Sequence, residues 1–512
     1  MSSSCRITII GAVVTAVAMV AGCVVGPPYV KPSVETPSAF KESSPAAYVG
    51  ADPGAWQPAQ PQDAARKGKW WEVFGEPELN ALEEQLNIDN QNIAQFFQNF
   101  MASRAQVGIA RASYFPTLTT TPAGTRTHSS GALGNGIGTA AGTGGVVSSG
   151  STFNTFQMPF DVSWAPDLFG RVRNSVREAR YAAQVSAADL ENERLLEQAS
   201  LAEYYFELRG QDSLQDLYNK TVVAQKKSLE LTQVLVQTGI DSPESVAQAE
   251  VTLANTEATA VGIATNRAIF EHAIATLIGK PASSFSMPVK ALSTPVPVVP
   301  VDIPSKLLQR RPDIAAAERT MAEANALIGV ETAAYYPTLN LTAAGGWEAS
   351  AVKNLFTVPA RFWSLGGSAS ETIFDGGLRK ATLRQFTAQF NADVATYRQT
   401  VLTAFQQVED FVATVRILSQ QIERQKAAVA AAQKFLDIAT SRYQTGLDPY
   451  LNVITAETTL LTDQQLEVTL RVNEMTAAVE LIQALGGGWD TGQLPSAADV
   501  TSDKAANRLE HP

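Results

Sequence analysis

The chain has 512 residues, of which 45% are hydrophobic and 17% are charged, and its net charge is −11 at pH 7. This apolar content is enough for a large core and excludes a globally disordered protein. The acidic balance argues against a nucleic-acid binder, which ordinarily shows a basic face, and the length suggests two to four domains.

The N-terminus predicts a signal peptide. Arg6 is the only charge before residues 7–22, a run of apolar or small residues that is short for a membrane-spanning helix. The run ends in a Val-Ala-Gly-Cys tetrapeptide that resembles a bacterial lipobox, so we expect residues 1–22 to be removed and Cys23 to carry lipid. The alternative is an ordinary signal peptide with an incidental cysteine. Cys5 leaves with the signal, so the mature chain cannot form an internal disulfide.

The segment after the signal is interpreted as a lipidated, extended N-terminal segment over residues 23–75. No run of 18 apolar residues follows the signal, so we expect no membrane-spanning helix. If the chain spans a membrane, it must do so as a closed barrel, because lipid leaves no other way to satisfy backbone polar groups.

Two sequence blocks occur twice in the same order. Residues 114–118 (YFPTL) recur as residues 335–339 (YYPTL), and residues 237–241 (QTGID) recur as residues 444–448 (QTGLD). Colinear repetition of this kind indicates an internal duplication. The mature chain therefore divides into a first repeat, a proline-rich linker, a second repeat and a polar tail that we expect to be disordered: residues 76–280, 281–304, 305–488 and 489–512, respectively.

Each repeat predicts one very long helical hairpin. Residues 171–238 contain no proline and one glycine, residues 378–445 contain neither, and good helix formers dominate both. As one helix, each segment would reach roughly 100 Å; the alternative is a series of shorter helices. A returning helix gives hairpins over residues 171–278 and 378–485, with the repeated QTG motif at each tip.

Alternation of apolar and polar residues predicts two strands in each repeat, after an initial helix. From Phe156 to Trp164 the even positions are apolar and the odd positions are Gln, Pro, Asp and Ser; a soluble sheet would alternate in the same way. Four strands cannot close a barrel wide enough for a channel, so strands from several subunits must be pooled. The predicted strands cover about residues 115–128, 153–168, 337–348 and 362–375.

Motifs of a known family run along the mature chain. The chain resembles the outer membrane factors, the TolC-like efflux and secretion ducts, and most closely their lipoprotein branch, which includes OprM and NodT. The most specific motif is the LLQRRPDI segment. The motifs are residues 23–29 (CVVGPPY), Trp70-Trp71, residues 167–171 (DLFGR), residues 307–314 (LLQRRPDI) and residues 485–489 (LGGGW).

The resemblance implies a mainly α protein with a membrane β-barrel, assembled as a homotrimer with twelve barrel strands and a periplasmic α-helical cylinder. Its implied function is the passive exit duct of a tripartite RND-type efflux system that exports drugs or other small toxic molecules, with a role in antibiotic resistance. The implied partners are a periplasmic adaptor (membrane fusion protein), an inner-membrane RND-type pump and outer-membrane lipid. Palmitate on Cys23, followed by Val24, favours the outer membrane of a Gram-negative bacterium.

The resemblance assigns adaptor binding to the hairpin tips. The glycines of both tips would end helices in any fold, so a purely structural interpretation of them is compatible with the functional one. The expected adaptor-binding residues are Gln237, Thr238, Gly239, Asp241, Arg442, Tyr443, Gln444, Thr445, Gly446 and Asp448.

The predicted gate differs from that of TolC-like ducts, which carry pore-closing aspartates just after the second tip. The matching residues here are Asn452 and Thr455, both neutral, and Leu451 matches a constriction leucine of the OprM type. We therefore expect a more hydrophobic, neutral gate that depends less on pH and cations. The predicted gate residues are Ser245, Gln248, Tyr450, Leu451, Asn452 and Thr455.

The sequence shows no catalytic constellation. His128, His272 and His511 are scattered, and no phosphate-binding glycine loop or nucleophile elbow is found. We expect no enzyme activity, no metal site and no cofactor. Two alternatives to small-molecule efflux stay open: a type I secretion duct for proteins or polysaccharides, and a periplasmic bridging lipoprotein without a channel.

Overall fold

The computed structural model describes residues 24–42, 68–128, 152–299 and 304–501. The predicted lipidation site, Cys23, lies outside the described residues. The helices are α1 (Pro77–Asp89), α2 (Gln91–Ala112), α3 (Arg171–Gln237), α4 (Pro243–Leu277), α5 (Pro304–Arg310), α6 (Pro312–Ala333), α7 (Leu378–Gln444) and α8 (Tyr450–Ala484). The strands are β1 (Thr117–Thr120), β2 (Ala123–His128), β3 (Thr152–Trp164), β4 (Thr338–Ala349) and β5 (Arg361–Ser370).

The duplication is visible in the helix lengths. Helices α3 and α7 each run for 67 residues, and α4 and α8 each run for 35, so the alternative of shorter, broken helices is wrong. The one glycine inside α3 permits close packing, because a Cβ on Gly210 would lie 2.5 Å from Cγ2 of Val472 on α8. Within the described part of the chain, no helix combines the length and the hydropathy needed to cross a bilayer.

Each repeat supplies two strands to one antiparallel sheet, as predicted. Strands β1 and β2 pair with β3 in one continuous register, in which Thr117 lies opposite Ser163 and Ala123 opposite Gln157. The ladder is interrupted beside Pro122, which has no N–H to donate. Strands β4 and β5 extend the sheet from the other side of β3.

The contact between β3 and β4 joins the two repeats. Pro159 lies opposite Gly346 in this pairing. A Cβ on Gly346 would collide with the carbonyl oxygen of Met158, so only glycine allows the two strands to approach here. The predicted fold class, mainly helical with two strands and one long hairpin per repeat, is confirmed.

The chain forms two compact units, and each repeat contributes to both. The division therefore does not follow the repeats. One unit, which contains the sheet, comprises Met1–Val30, Arg104–Tyr181 and Met321–Ala392, and the other, which contains the hairpin tips, comprises Lys31–Ser103, Ala182–Thr320 and Asp393–Pro512.

The core of the second unit forms where α1 and α2 pack on the middle of α3. Trp71, Leu79, Phe100 and Tyr205 are each no more than 2% exposed, and residues from α8 complete the same cluster. Burial of this apolar surface is the main favourable contribution to the folding of the unit.

A buried charge network fastens the proline-rich linker to the helices. The carboxylate of Asp212, which is fully buried, accepts hydrogen bonds from Arg209 at 3.1 Å, from Arg267 at 2.7 Å and from the backbone N–H of Lys290 at 2.9 Å. Arg267 also donates to the carbonyl of Met287 at 2.8 Å. The linker is therefore a fixed segment on α3 and α4, without any helix beyond the short turn Ala282–Ser284 over its described part.

The expectation of a disordered C-terminal tail is wrong as far as Thr501. The chain forms short 3-10 turns there, and Val500 is fully buried. The carboxylate of Asp490 accepts the N–H of Gly492 at 2.8 Å. Such local side-chain bonds order a polar segment without helical or strand periodicity, which explains why the sequence pattern did not reveal it.

Replacing Asp212 with Asn should destabilise the protein by about 3–5 kcal/mol, because the buried Arg209 and the partly buried Arg267 lose the fully buried carboxylate that they share. Denaturant unfolding of the detergent-solubilised protein measures this loss. The control is Asp216→Asn, which breaks an exposed pair with Lys220 on the same helix and should have a far smaller effect. Equal destabilisation by both variants would contradict the structural role of the network.

Candidate functional site at the hairpin tips

The two tips share one backbone geometry. Gly239 and Gly446 end the long helices with φ values of 75° and 71°, in the left-handed region that glycine adopts at little cost. The N–H groups of Ile240 and Leu447 each donate, at 2.9 Å, to the carbonyl five residues earlier, as in a Schellman motif. The repeated sequence motif thus encodes a repeated turn.

Most of the predicted adaptor-binding residues are exposed, with three exceptions. Tyr443 is buried, and Asp241 and Asp448 are partly buried. Sequence reasoning missed Ile240 and Leu447, whose side chains are 61% and 68% exposed at the outer end of each tip. The signal that could have found them is an apolar residue directly after the turn glycine in both copies.

The hydrogen bond between Tyr443 and Asp241 joins the two hairpins at their tips, and we call it the tip bond. The Tyr443 hydroxyl donates to Oδ2 of Asp241 at 2.6 Å, and the Ser242 N–H and the Ser245 hydroxyl donate to Oδ1 at 2.7 and 2.8 Å. Burial alone would raise the pKa of Asp241, but these three hydrogen bonds outweigh it and hold the pKa below its ordinary value. Asp241 is thus kept ionised and bonded.

A small aromatic core lies directly behind the tip bond. The rings of Tyr443 and Tyr450 are 5.1 Å apart and tilted by 50°. The hydroxyl of Tyr450 lies 3.2 Å from that of Ser228 on α3, so it contacts the opposite hairpin as well. The cluster is completed by Leu235, Ala249 and Val453.

The second tip also contains an exposed ion pair. Arg442 donates to both carboxylate oxygens of Asp448, at 2.6 and 3.0 Å. The hydrogen bond from Arg442 lowers the pKa of Asp448. The negative charge of Asp448 is therefore balanced by Arg442 within the tip.

The predicted gate residues fall into two groups. Leu451 is 57% exposed, and Asn452 and Thr455 are exposed beside it on α8. Gln248 is partly exposed. Ser245 and Tyr450 are buried and take part in the contacts that hold the tips, so their side chains do not face open solvent.

Among the described residues, no group of His, Cys, Asp or Glu side chains is arranged to hold a metal ion. His128, for example, contacts the hydroxyl of Thr152 at 2.7 Å. The candidate site at the tips is built from helix ends, hydroxyl groups and aromatic rings.

Comparison with known proteins gives matches over nearly the whole chain. Residues 82–280 and 303–487 match the profile of the outer membrane efflux protein family. The chain is 30% identical over 479 residues to the toluene efflux pump outer membrane protein TtgC of Pseudomonas putida, covering 92% of this chain and 96% of TtgC. It is 28% identical to the pyoverdine export outer membrane protein OpmQ of Pseudomonas aeruginosa, covering 86% and 92% of the two chains.

Solved structures show the same architecture. The outer-membrane channel OprN superposes with a TM-score of 0.81 at 26% identity, covering 91% of this chain and all of OprN. The Campylobacter jejuni CmeC outer membrane channel superposes with a TM-score of 0.81 at 20% identity, covering 95% and 99% of the two chains. The second likeness concerns the fold alone.

Replacing Tyr443 with Phe should ease local opening of the tips by about 1–2 kcal/mol, because it removes a charge-assisted hydrogen bond at a partly exposed site. Hydrogen exchange of the amides in residues 236–245 and 443–452 measures this opening. Adding Asp241→Asn to the Tyr443→Phe variant should cost little more, since the tip bond is already lost.

The control for this test is Tyr218→Phe, the same chemical change at a bond to Gln465 of α8 at 3.2 Å. It should leave exchange at the tips unchanged. An equal effect of both variants on the tip amides, or full additivity of Tyr443→Phe and Asp241→Asn, would show that the tip bond does not join the hairpins.

Proposed function

Because the chain belongs to the outer membrane efflux protein family, we propose that it is the exit duct of a tripartite efflux system. It works with the other components of an efflux pump, in the outer membrane of a Gram-negative bacterium and extending into the periplasm. The observation that carries the proposal is that one chain contains both a membrane-type antiparallel sheet and two 67-residue helices whose hairpins meet at their tips. The cargo passes without chemical change, so the protein is not an enzyme.

The open edges of the sheet support our proposal that the protein assembles as a homotrimer. Within the described residues, the strand formed by β1 and β2 lies at one edge and β5 at the other. Open edges leave backbone polar groups unsatisfied in lipid. Three copies would pool twelve strands into one closed barrel, a number compatible with a channel. Lipid on Cys23 would add an anchor beside the barrel.

The cargo and the partners are proposed from chemistry and family membership. The names of TtgC and of ArpC, a further relative 30% identical to this chain, refer to efflux of toluene and of antibiotics, respectively. For this chain we propose drugs and other small toxic molecules. A periplasmic adaptor would dock on the two tips, and an inner-membrane pump of the RND type would supply the energy.

The proposed gate is neutral. On α8, Asn452 and Thr455 lie three residues apart and are exposed on the first turns of the helix, next to the apolar Leu451. No carboxylate stands at these two positions, so a divalent cation would find no acidic ring there. The two aspartates of the tips, Asp241 and Asp448, are held by Tyr443 and Arg442, respectively.

The purified protein should form trimers that conduct ions in planar bilayers, with little block by divalent cations. The double variant Asn452→Asp with Thr455→Asp places carboxylates at the exposed positions and should introduce block by cations that acid relieves. Failure of purified trimers to conduct under any condition would refute the duct. Strong cation block of the wild-type channel would refute the neutral gate alone.

Adaptor docking should depend on the exposed apolar side chains of the tips. Replacing Ile240 or Leu447 with Glu should weaken binding of the cognate adaptor by at least tenfold in a pull-down titration, because an apolar contact would have to bury a charge. Replacing Val261 with Glu makes the same change at an exposed residue of α4 away from the tips and should have no effect. Equal loss with the control would remove the docking role from the tips.

A further inference from the structure

Glu457 on α8, below the tips, is a partly buried residue with one fully buried carboxyl oxygen. It lies one and two turns beyond the buried residues Val453 and Tyr450, on the same side of the helix. Its Oε2 atom is buried and has no hydrogen-bond partner among the described residues. Buried polar atoms ordinarily have hydrogen-bond partners. The missing partner of this oxygen therefore needs an explanation, and the tip bond does not involve Glu457.

The opposite surface, on α3, is unusually polar for a helix contact. Thr232 is fully buried, and Gln225 is 5% exposed with its Oε1 also unpartnered in the described part of the chain. Between them, the Ser228 hydroxyl lies 3.2 Å from that of Tyr450 and is the polar group that lowers the pKa of Glu457 against the effect of burial. Helices α3 and α8, which belong to different repeats, thus meet through hydroxyl, amide and carboxyl groups.

The neighbouring charges do not compensate Glu457. Burial raises the pKa of Glu457, and the hydrogen bond from Ser228 offsets this only in part. Lys226 of α3 forms its ion pair with Glu257 of α4 at 2.8 Å. The titratable groups facing this region from its own helix, from α7 and from the first tip are Tyr450, Tyr443 and Asp241.

The first repeat provides an internal comparison. Glu250, 207 residues earlier, occupies the same place in an Ala-Glu-x-Thr-Leu segment of α4, yet it is exposed. The residue of α7 that corresponds to Ser228 is Phe435, which offers no hydroxyl. The same sequence context therefore places one glutamate in water and the other in a helix contact.

We propose that Glu457 is a protonation-controlled latch, which holds α8 against α3 when it is neutral and favours opening when it is ionised. A neutral carboxyl group can donate to the Ser228 hydroxyl, which accepts as well as donates. An ionised one would remain buried with an unsatisfied oxygen, so it favours a state in which water reaches it. This latch rests on the proposed function of a duct that opens at the tips, and it is separate from the neutral gate positions Asn452 and Thr455, which carry no titratable group.

The direction of the pH effect follows from the burial. In the closed state the pKa of Glu457 is raised, whereas in an open, hydrated state it would return to the ordinary glutamate range. The neutral form of Glu457 therefore stabilises the closed state at acid pH. This stabilisation is lost as the pH rises through the raised pKa of Glu457. Protonation of Asp241 has the opposite effect, because it weakens the tip bond and so favours opening. The pKa of Asp241 is lowered, so this protonation occurs only at a pH below the ordinary aspartate range.

Single-channel conductance of the full-length protein between pH 5 and pH 8.5 tests the latch. The wild-type channel should be open more often at high pH, with the open-to-closed ratio rising about tenfold for each unit by which the pKa is raised. Glu457→Gln keeps the shape of the neutral group and should stay at the low, acid level at every pH. Glu250→Gln should behave as the wild type.

Amide exchange of residues 450–460, corrected for the intrinsic effect of pH, gives a readout that does not require conduction. Protection in the wild type should fall as pH rises, whereas protection in Glu457→Gln should not. Conductance without pH dependence, an acid-opened channel, or equal effects of Glu457→Gln and Glu250→Gln would overturn the latch and leave the duct intact. Glu457-dependent exchange in a protein that never conducts would instead overturn the duct.

Discussion

A polar group that is buried away from water needs a hydrogen-bond partner. Three carboxylates of this protein meet that need to different degrees. Asp212 is fully buried, and two guanidinium groups and a backbone N–H satisfy it. Asp241 has three donors, of which only Tyr443 comes from the other hairpin. Glu457 keeps one oxygen without a partner in the described structure. We therefore expect local stability to be highest where the linker crosses the helices and lowest near the tips.

Local sequence patterns predicted most of the fold. Helix propensity without proline sets the length of α3 and α7, alternation sets the strands, and Gly239 and Gly446 set the turns, because each of these depends on residues that are close in sequence. The tip bond could not be found in this way, since its two residues are 202 positions apart. The repeat offset even misleads here: it aligns Asp241 with Asp448, whereas the structure pairs Asp241 with Tyr443.

The linker and the tail show a second limit of composition. Both are polar or proline-rich and lack periodicity. These features indicate that a segment forms no regular helix or strand, but a segment without helices or strands can still have a fixed conformation. Donors and acceptors from elsewhere in the chain order the linker: the main chain at Met287 and Lys290 is bound by Arg267 and Asp212. In the sequence, Arg267 and Asp212 look like ordinary surface residues of helices. Only the folded structure shows that they bind the linker.

Differences between the copies, rather than their similarity, supply the polar contacts between the two hairpins near the tips. Duplication alone would make both hairpins meet through equivalent groups. Instead, the second repeat has Tyr443, Tyr450 and Glu457 where the first has Val236, Pro243 and an exposed Glu250. Near the tips, these three residues of the second repeat face groups of the first. The shared residues therefore build the scaffold twice, and the residues that differ supply the polar contacts between the two hairpins near their tips.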